Sequence, residues 1–189
     1  MNILVGYSHP NVKSFNYAIL DSFKQNISSK HTVKILDLYK ENFDPVLHFD
    51  ENNRRRDLKE NVSTKEYRDD LIWADHVIFI YPIWWSGMPA ILKGYIDRVF
   101  VKGFAYEYKG VLPIALLPNK TATIVTTHDT PNMYAKIFQQ DYNKVLKKQV
   151  LKMCGIKTTR SITLPFLRNT DERKRKDFLS KVANYAAAL

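Results

Sequence analysis

Two kinds of hydrophobic spacing alternate along the chain. Ile3-Leu-Val-Gly-Tyr7 is a short apolar run that predicts a buried strand. Phe15, Ile19 and Phe23, with Leu20 and Ile27, then recur at helical spacing, and Ser14 stands where an N-cap belongs. Thr32–Leu38 alternates as a second strand. Residues 40–63 carry weak periodicity and many polar side chains, so they predict a long, partly ordered connection of the kind that is often functional. Thr64–Ala74 predicts a helix, His76–Tyr81 a buried strand, Pro89–Val101 a helix and Thr121–Thr127 a fourth strand. Asn132–Cys154 has the pattern of one long amphipathic helix, stopped by Gly155. Ile156–Leu164 is the fifth strand. Asp171–Leu189 closes the chain as a helix with Phe178, Val182, Tyr185 and Leu189 on one face.

Strands alternating with helices predict a parallel sheet covered on both faces, and no repeat or linker divides residues 1–189 into more than one domain. In such a sheet ligands bind beyond the carboxyl ends of the strands, where strand order reverses. Three loops are selected: Ser8–Asn16, Tyr81–Gly87 and Thr126–Pro131.

Composition changes this picture little. The 189 residues are 45% hydrophobic and 25% charged, as in ordinary globular chains. No apolar run is long enough to span a bilayer, and MNILVGYSHP lacks the features of a signal peptide, so a cytoplasmic protein is expected. Cys154 is the lone cysteine, which excludes an internal disulfide and a cysteine metal cluster; no metal is expected. The net charge of +10 favours anionic ligands. Its basic residues fall beside acids at helical spacing, as in Asp171-Glu-Arg-Lys-Arg-Lys-Asp177, and no nucleic-acid-binding signature accompanies them.

The first loop runs into a helix N-terminus, a place suited to phosphate, with His9, Lys13 and Ser14 as further donors. It has neither G-x-G-x-x-G nor a P-loop lysine motif. The second loop places Trp84 and Trp85 side by side. One of them suits a core, but both are hard to bury, because neighbours point apart and each indole N–H needs a partner. At a strand end such a pair makes a flat wall for a planar ring.

Four segments carry a resemblance: Lys13-Ser-Phe-Asn-Tyr17, Tyr81-Pro-Ile-Trp-Trp-Ser-Gly-Met-Pro-Ala-Ile-Leu-Lys-Gly94, Asp97-Arg-Val-Phe100 and Gly103-Phe-Ala-Tyr-Glu-Tyr108. In this order they resemble the NAD(P)H:quinone oxidoreductase family. The resemblance implies an α/β, flavodoxin-like, doubly wound five-stranded parallel sheet of order 2-1-3-4-5. It implies a flavoenzyme that takes hydride from NADH or NADPH and passes two electrons to a quinone, as a homodimer with its active site at the interface. By resemblance His9, Ser14, Phe15 and Asn16 hold the flavin phosphates and ribityl chain. Pro82, Ile83, Trp84 and Trp85 line the isoalloxazine, with Trp85 facing ring and substrate. Thr126 and Thr127 touch the ring's polar edge, Tyr134 stabilises charge on the reduced ring, and Tyr106 and Tyr108 line the substrate pocket across the dimer. FAD is expected over FMN, because Leu167, Arg175 and Leu179 match positions that hold an adenylate. Two departures stand out. His128 and Asp129 replace a glycine pair, and Gln140 replaces a histidine. The proton relay is therefore open among Tyr134, His128 and the flavin with water, and His128 also suits a solvated loop. Two other functions fit the fold: an FMN electron carrier and a regulatory subunit of a membrane transporter.

Overall fold

The computed structural model describes residues 1–52, 54–138 and 143–189. Its main sheet has five parallel strands: β1 (Asn2–Tyr7), β2 (Thr32–Asp37), β3 (His76–Pro82), β6 (Thr121–Thr127) and β7 (Lys157–Leu164), in spatial order β2-β1-β3-β6-β7. A two-stranded ribbon, β4 (Tyr106–Lys109) and β5 (Leu112–Ala115), lies apart from it. Leaving that ribbon out of the count, the order is the expected 2-1-3-4-5.

Alternation along the central strands divides the core in two. Leu4, Val77, Phe79, Tyr81 and Ile124 face one side, with Leu71 from α2 (Lys65–Trp73) and Leu92, Tyr95 and Val99 from α3 (Ala90–Val99). Ile3, Val5, Ile78, Ile80 and Val125 face the other, with Ile19, Leu20 and Phe23 from α1 (Phe15–Asn26) and Phe178 and Val182 from α5 (Glu172–Ala187). A strand covered on both faces must be apolar at every position, hence the unbroken runs. β3 is buried at all seven residues.

Three elements differ from the sequence pattern. The ribbon β4–β5 falls in a stretch where the pattern gives no strand: each arm has only four residues, and the second contains Pro113 and is largely exposed. Residues 40–63 contain a 3₁₀ turn, Arg55–Glu60, anchored by buried Leu58. The long helix expected over 132–154 is instead α4 (Asn132–Phe138) and a separate π-helical segment, Val145–Leu151; Asn143 before the second has φ +79°. Its amphipathic spacing is real, since Leu146 and Leu151 are buried, but burying two residues does not require one continuous helix. Gly155 is left-handed, at φ +87°, and lies three residues beyond that segment's C-cap, Lys152. Gly94 answers to packing: a Cβ there would overlap the backbone of Pro45.

Candidate active site

The loops after β1, β3 and β6 form one unit. β3 lies between β1 and β6, so the topology itself places their carboxyl ends side by side. Ser8 N–H donates to the Ile80 carbonyl at 3.1 Å, and Ile83 N–H donates to the Thr127 carbonyl at 2.7 Å. Asn16 Nδ2 donates to Thr127 Oγ1 at 2.9 Å. The rings of His9 and Trp84 meet at 5.7 Å, inclined by 61°.

Ser14 caps α1, its Oγ accepting from the Tyr17 N–H at 3.1 Å. The N–H groups of Phe15 and Asn16 lie in the first turn, where a helix has no carbonyl to offer them. The Phe15 ring turns away and packs on Phe178 at 6.1 Å. Phe15 therefore brings its backbone to the loop and its side chain to the core. His9 Nδ1 accepts from the Asn11 N–H at 3.0 Å, and burial holds the ring's pKa below the usual imidazole range. A neutral ring accepting at Nδ1 carries its proton on Nε2. Two buried polar atoms, Ser8 Oγ and Asn16 Oδ1, have no hydrogen-bond partner among the described residues. Such atoms cost roughly 1–3 kcal/mol each when left unpaired, so an added hydrogen-bond partner at either would be stabilising. A flavin's phosphate and ribityl oxygens fit this loop.

The Trp84–Gly87 segment is a tight hairpin turn. Trp84 N–H donates to the Gly87 carbonyl at 2.9 Å and Gly87 N–H returns to the Trp84 carbonyl at 3.0 Å. Trp85 and Ser86, the two turn residues, have φ of +49° and +65°. Both being left-handed is the mark of a type I′ turn, a geometry usually given to Asn and Gly. Its consequence is that the Trp85 side chain stands fully in solvent, at 102% relative exposure, while Trp84 is 41% exposed. Pro82 and Ile83 are buried beneath them. Neither indole is core.

A cleft of about 470 Å³ opens between this turn and the loop after β6, lined by Ile83, Trp84, Trp85, Ser86, His128, Asp129 and Thr130. Its floor is polar. Thr127 binds Asn16, and Thr126 Oγ1 lies 3.0 Å from Thr163 Oγ1 and accepts from Asn143 Nδ2 at 3.3 Å. Asn143 in turn accepts from the Tyr81 hydroxyl at 2.8 Å. Sequence reasoning missed Asn143, which sits inside an apparent helix, and it did not single out Ser8. The signal for Ser8 was its place as the first residue past a buried strand.

The remaining expected residues fall at three places. Tyr134 is half-exposed on the first turn of α4. Leu167, Arg175 and Leu179 form a group near α5: Arg175 donates from Nη2 to the Leu167 carbonyl at 3.1 Å, its buried Nε has no partner among the described residues, and Leu179 packs on the core. Tyr106 and Tyr108 stand on β4, with rings 5.6 Å apart and inclined by 86°. Within one chain they line a different cleft, so the structure does not bring them to Trp85.

The family with the flavodoxin-like fold matches residues 1–189. A protein of Streptococcus mutans, known by its crystal structure, is 52% identical, covers 100% of both chains and superposes with a TM-score of 0.94. An uncharacterized NAD(P)H oxidoreductase of Haemophilus influenzae is 32% identical, over all of this chain and 95% of its own length. The NAD(P)H:quinone oxidoreductase of Methanothermobacter marburgensis is 26% identical, over 99% of this chain and 96% of its own, with a TM-score of 0.85. The chain belongs to the flavodoxin-like NAD(P)H:quinone oxidoreductase family.

Within that family the two departures have different standings. His128 is no solvated loop residue: it is 6% exposed, and its backbone is locked on both sides, N–H to Leu164 at 3.1 Å and carbonyl to the Leu167 N–H at 3.0 Å. Burial lowers its pKa, opposed by a backbone bond at Thr130 and by the charge of Asp129. Asp129 pairs with Arg168, accepting from its N–H and from Nε, each at 3.0 Å. Gln140 lies outside the described residues.

Proposed function

We propose that the protein is a cytoplasmic, single-domain NAD(P)H-dependent flavin oxidoreductase that reduces a quinone or similar aromatic acceptor and works as a homodimer. The observation that carries this reading is the joint site. Two buried, unpartnered polar atoms, Ser8 Oγ and Asn16 Oδ1, lie under a helix N-terminus, and that loop is tied to an exposed tryptophan wall. The one recipient that uses both is a phosphorylated cofactor with a planar ring. When bound, a flavin supplies the hydride-accepting and electron-donating chemistry.

In this reading the residues do the following. The Phe15 and Asn16 N–H groups, with His9 Nε2–H, bind phosphate. Asn16 holds the ribityl chain and fixes Thr127. Trp84 and Trp85 orient the ring and keep water from one face. Thr126 and Thr127, at the strand end, present their hydroxyls to its polar edge. His128, neutral near pH 7 because it is buried, is placed in the cleft wall to hold or release a proton, and Tyr134 stands at the rim. FAD is favoured over FMN by Arg175, whose buried Nε awaits an acceptor beside Leu167. The homodimer is supported by the ribbon, which exposes Tyr108, Val111 and Leu112. A second copy would cover them and bring Tyr106 and Tyr108 to its own Trp85 cleft. Among the described residues no helix is long and apolar enough to cross a membrane.

The test is to purify the protein, release any flavin and chromatograph it, then follow NADH and NADPH oxidation with a quinone. A yellow protein yielding FAD and oxidising a nicotinamide is expected. A colourless protein that takes up no added flavin overturns the reading. FMN alone in the released fraction overturns the FAD assignment. A yellow protein that oxidises neither nicotinamide is an electron carrier instead.

A further inference from the structure

The arginine run at 54–56 has no role in the site described above. It is nevertheless held in place. Leu58, in the same 3₁₀ turn, is 3% exposed, and its carbonyl accepts from Arg68 Nη1 at 3.4 Å. Arg68, itself buried, also donates to the Asn61 carbonyl at 2.8 Å and to Thr64 Oγ1 at 2.5 Å. The segment is thus clamped to α2, and it carries Arg55 and Arg56 to the edge of a cleft of about 540 Å³.

That cleft is lined by two unlike groups of side chains. Tyr106, Tyr108 and Met153 are aromatic or apolar, and Arg55, Arg56 and Lys102 are cationic. Most of its charge is already answered. Lys102 pairs with Glu107 at 3.2 Å, Arg56 Nε lies 3.8 Å from Asp57, and the lining carboxylate Asp97 is paired with Lys93 at 2.7 Å. Arg55 has no ion pair among the described residues. Its charge reaches the Tyr106 hydroxyl, pulling the phenol's pKa down against the larger upward push of burial. Cys154 in the same lining is inert, because burial pushes its thiol up to about 12.

A guanidinium without an ion pair among the described residues, lining one cleft with two tyrosines packed edge to face, suits a ligand with both an aromatic ring and a phosphate. A planar guanidinium binds phosphate through two parallel N–H bonds, and tyrosine faces accept an adenine. We propose that this cleft takes the adenylate end of the hydride donor, with Arg55 reading the 2′-phosphate, so that the enzyme prefers NADPH to NADH. The inference rests on the proposed function above, in which the protein oxidises NAD(P)H as a homodimer and the ribbon of one protomer reaches the Trp85 cleft of the other. It adds what that reading leaves open, namely which nicotinamide is used and why.

The test has a binding arm and a kinetic arm. Purified protein with its flavin is titrated with adenosine 2′,5′-bisphosphate and separately with 5′-AMP. The bisphosphate should bind about tenfold tighter, as one charge-assisted bidentate contact warrants, and Arg55→Ala should abolish the difference. Arg55→Lys should restore part of it. The NADPH/NADH ratio of kcat/KM should fall about tenfold in Arg55→Ala and stay at the wild-type value in Lys157→Ala, an exposed lysine outside the lining of this cleft. Equal binding of the two nucleotides by wild type, or undiminished discrimination in Arg55→Ala, overturns the inference. A wild-type protein that oxidises neither nicotinamide overturns the proposed function instead, and the binding arm still decides whether the cleft recognises the phosphate.

Discussion

Replacing Trp85 by Asn should make the folded protein more stable and the enzyme slower. At 102% relative exposure the indole buries nothing that truncation would release, so the loss of hydrophobic burial is close to zero. The backbone is another matter. Trp85 sits at φ +49° and Ser86 at φ +65°, where a bulky side chain costs roughly 1–2 kcal/mol. Asn tolerates this region and should recover about 0.5–1 kcal/mol of that strain. In a chain of this size each kcal/mol moves Tm by about 2–4 °C, so a rise of about 1–4 °C is expected. The measurement belongs on flavin-free protein, because a bound cofactor adds its own stabilisation and a weaker-binding variant would lose it. Turnover of NAD(P)H with a quinone should meanwhile fall about tenfold, the value of one lost aromatic stacking surface. The two effects have opposite signs, so no general damage to the fold mimics them. A fall in Tm of several degrees, with normal turnover by the protein that remains folded, would refute both the strain argument and the wall argument.

Two further outcomes test the core and its pH dependence. Phe79→Ala, at a strand residue 1% exposed and in register with Gly6 and Ile124, should cost about 3–5 kcal/mol in urea unfolding and leave turnover of the folded fraction intact. His76 is buried against Thr121, Thr123 and Tyr185, and burial lowers its pKa to about 4. The unfolded chain takes up a proton near pH 6.5 and the folded chain only near 4. The contribution of His76 to stability should therefore be constant above pH 6.5 and decline by up to about 3 kcal/mol as pH falls from 6.5 to 4. A His76→Asn variant should lack that slope; an unchanged slope would show that other groups cause it.

The sheet and its two layers were legible because burial on both faces leaves a local mark. His76–Tyr81 had to be apolar throughout, and the helices had to be striped, wherever the tertiary partners lay. The three loops of the site followed from topology alone, since parallel strands in alternating order bring their carboxyl ends together. Trp85 was legible as a residue out of place in a core. Its left-handed turn was not, because Trp-Ser carries none of the Asn or Gly that normally marks a type I′ turn. The long helix over 132–154 misled for the opposite reason: its apolar spacing is satisfied by two short helical segments as well as by one. The burial of His128 was invisible too, as a histidine in a polar loop takes its character from what packs over it, here the segment from Leu164 to Leu167 that lies far along the chain. The same holds for Arg55. In sequence it is one of three adjacent arginines, and only the structure separates it by pairing Arg56 with Asp57 and setting Arg55 in the same cleft lining as Tyr106. Sequence determines what is written in short-range periodicity. Burial, charge pairing and backbone strain depend on residues dozens of positions away, and those the tertiary structure alone decided.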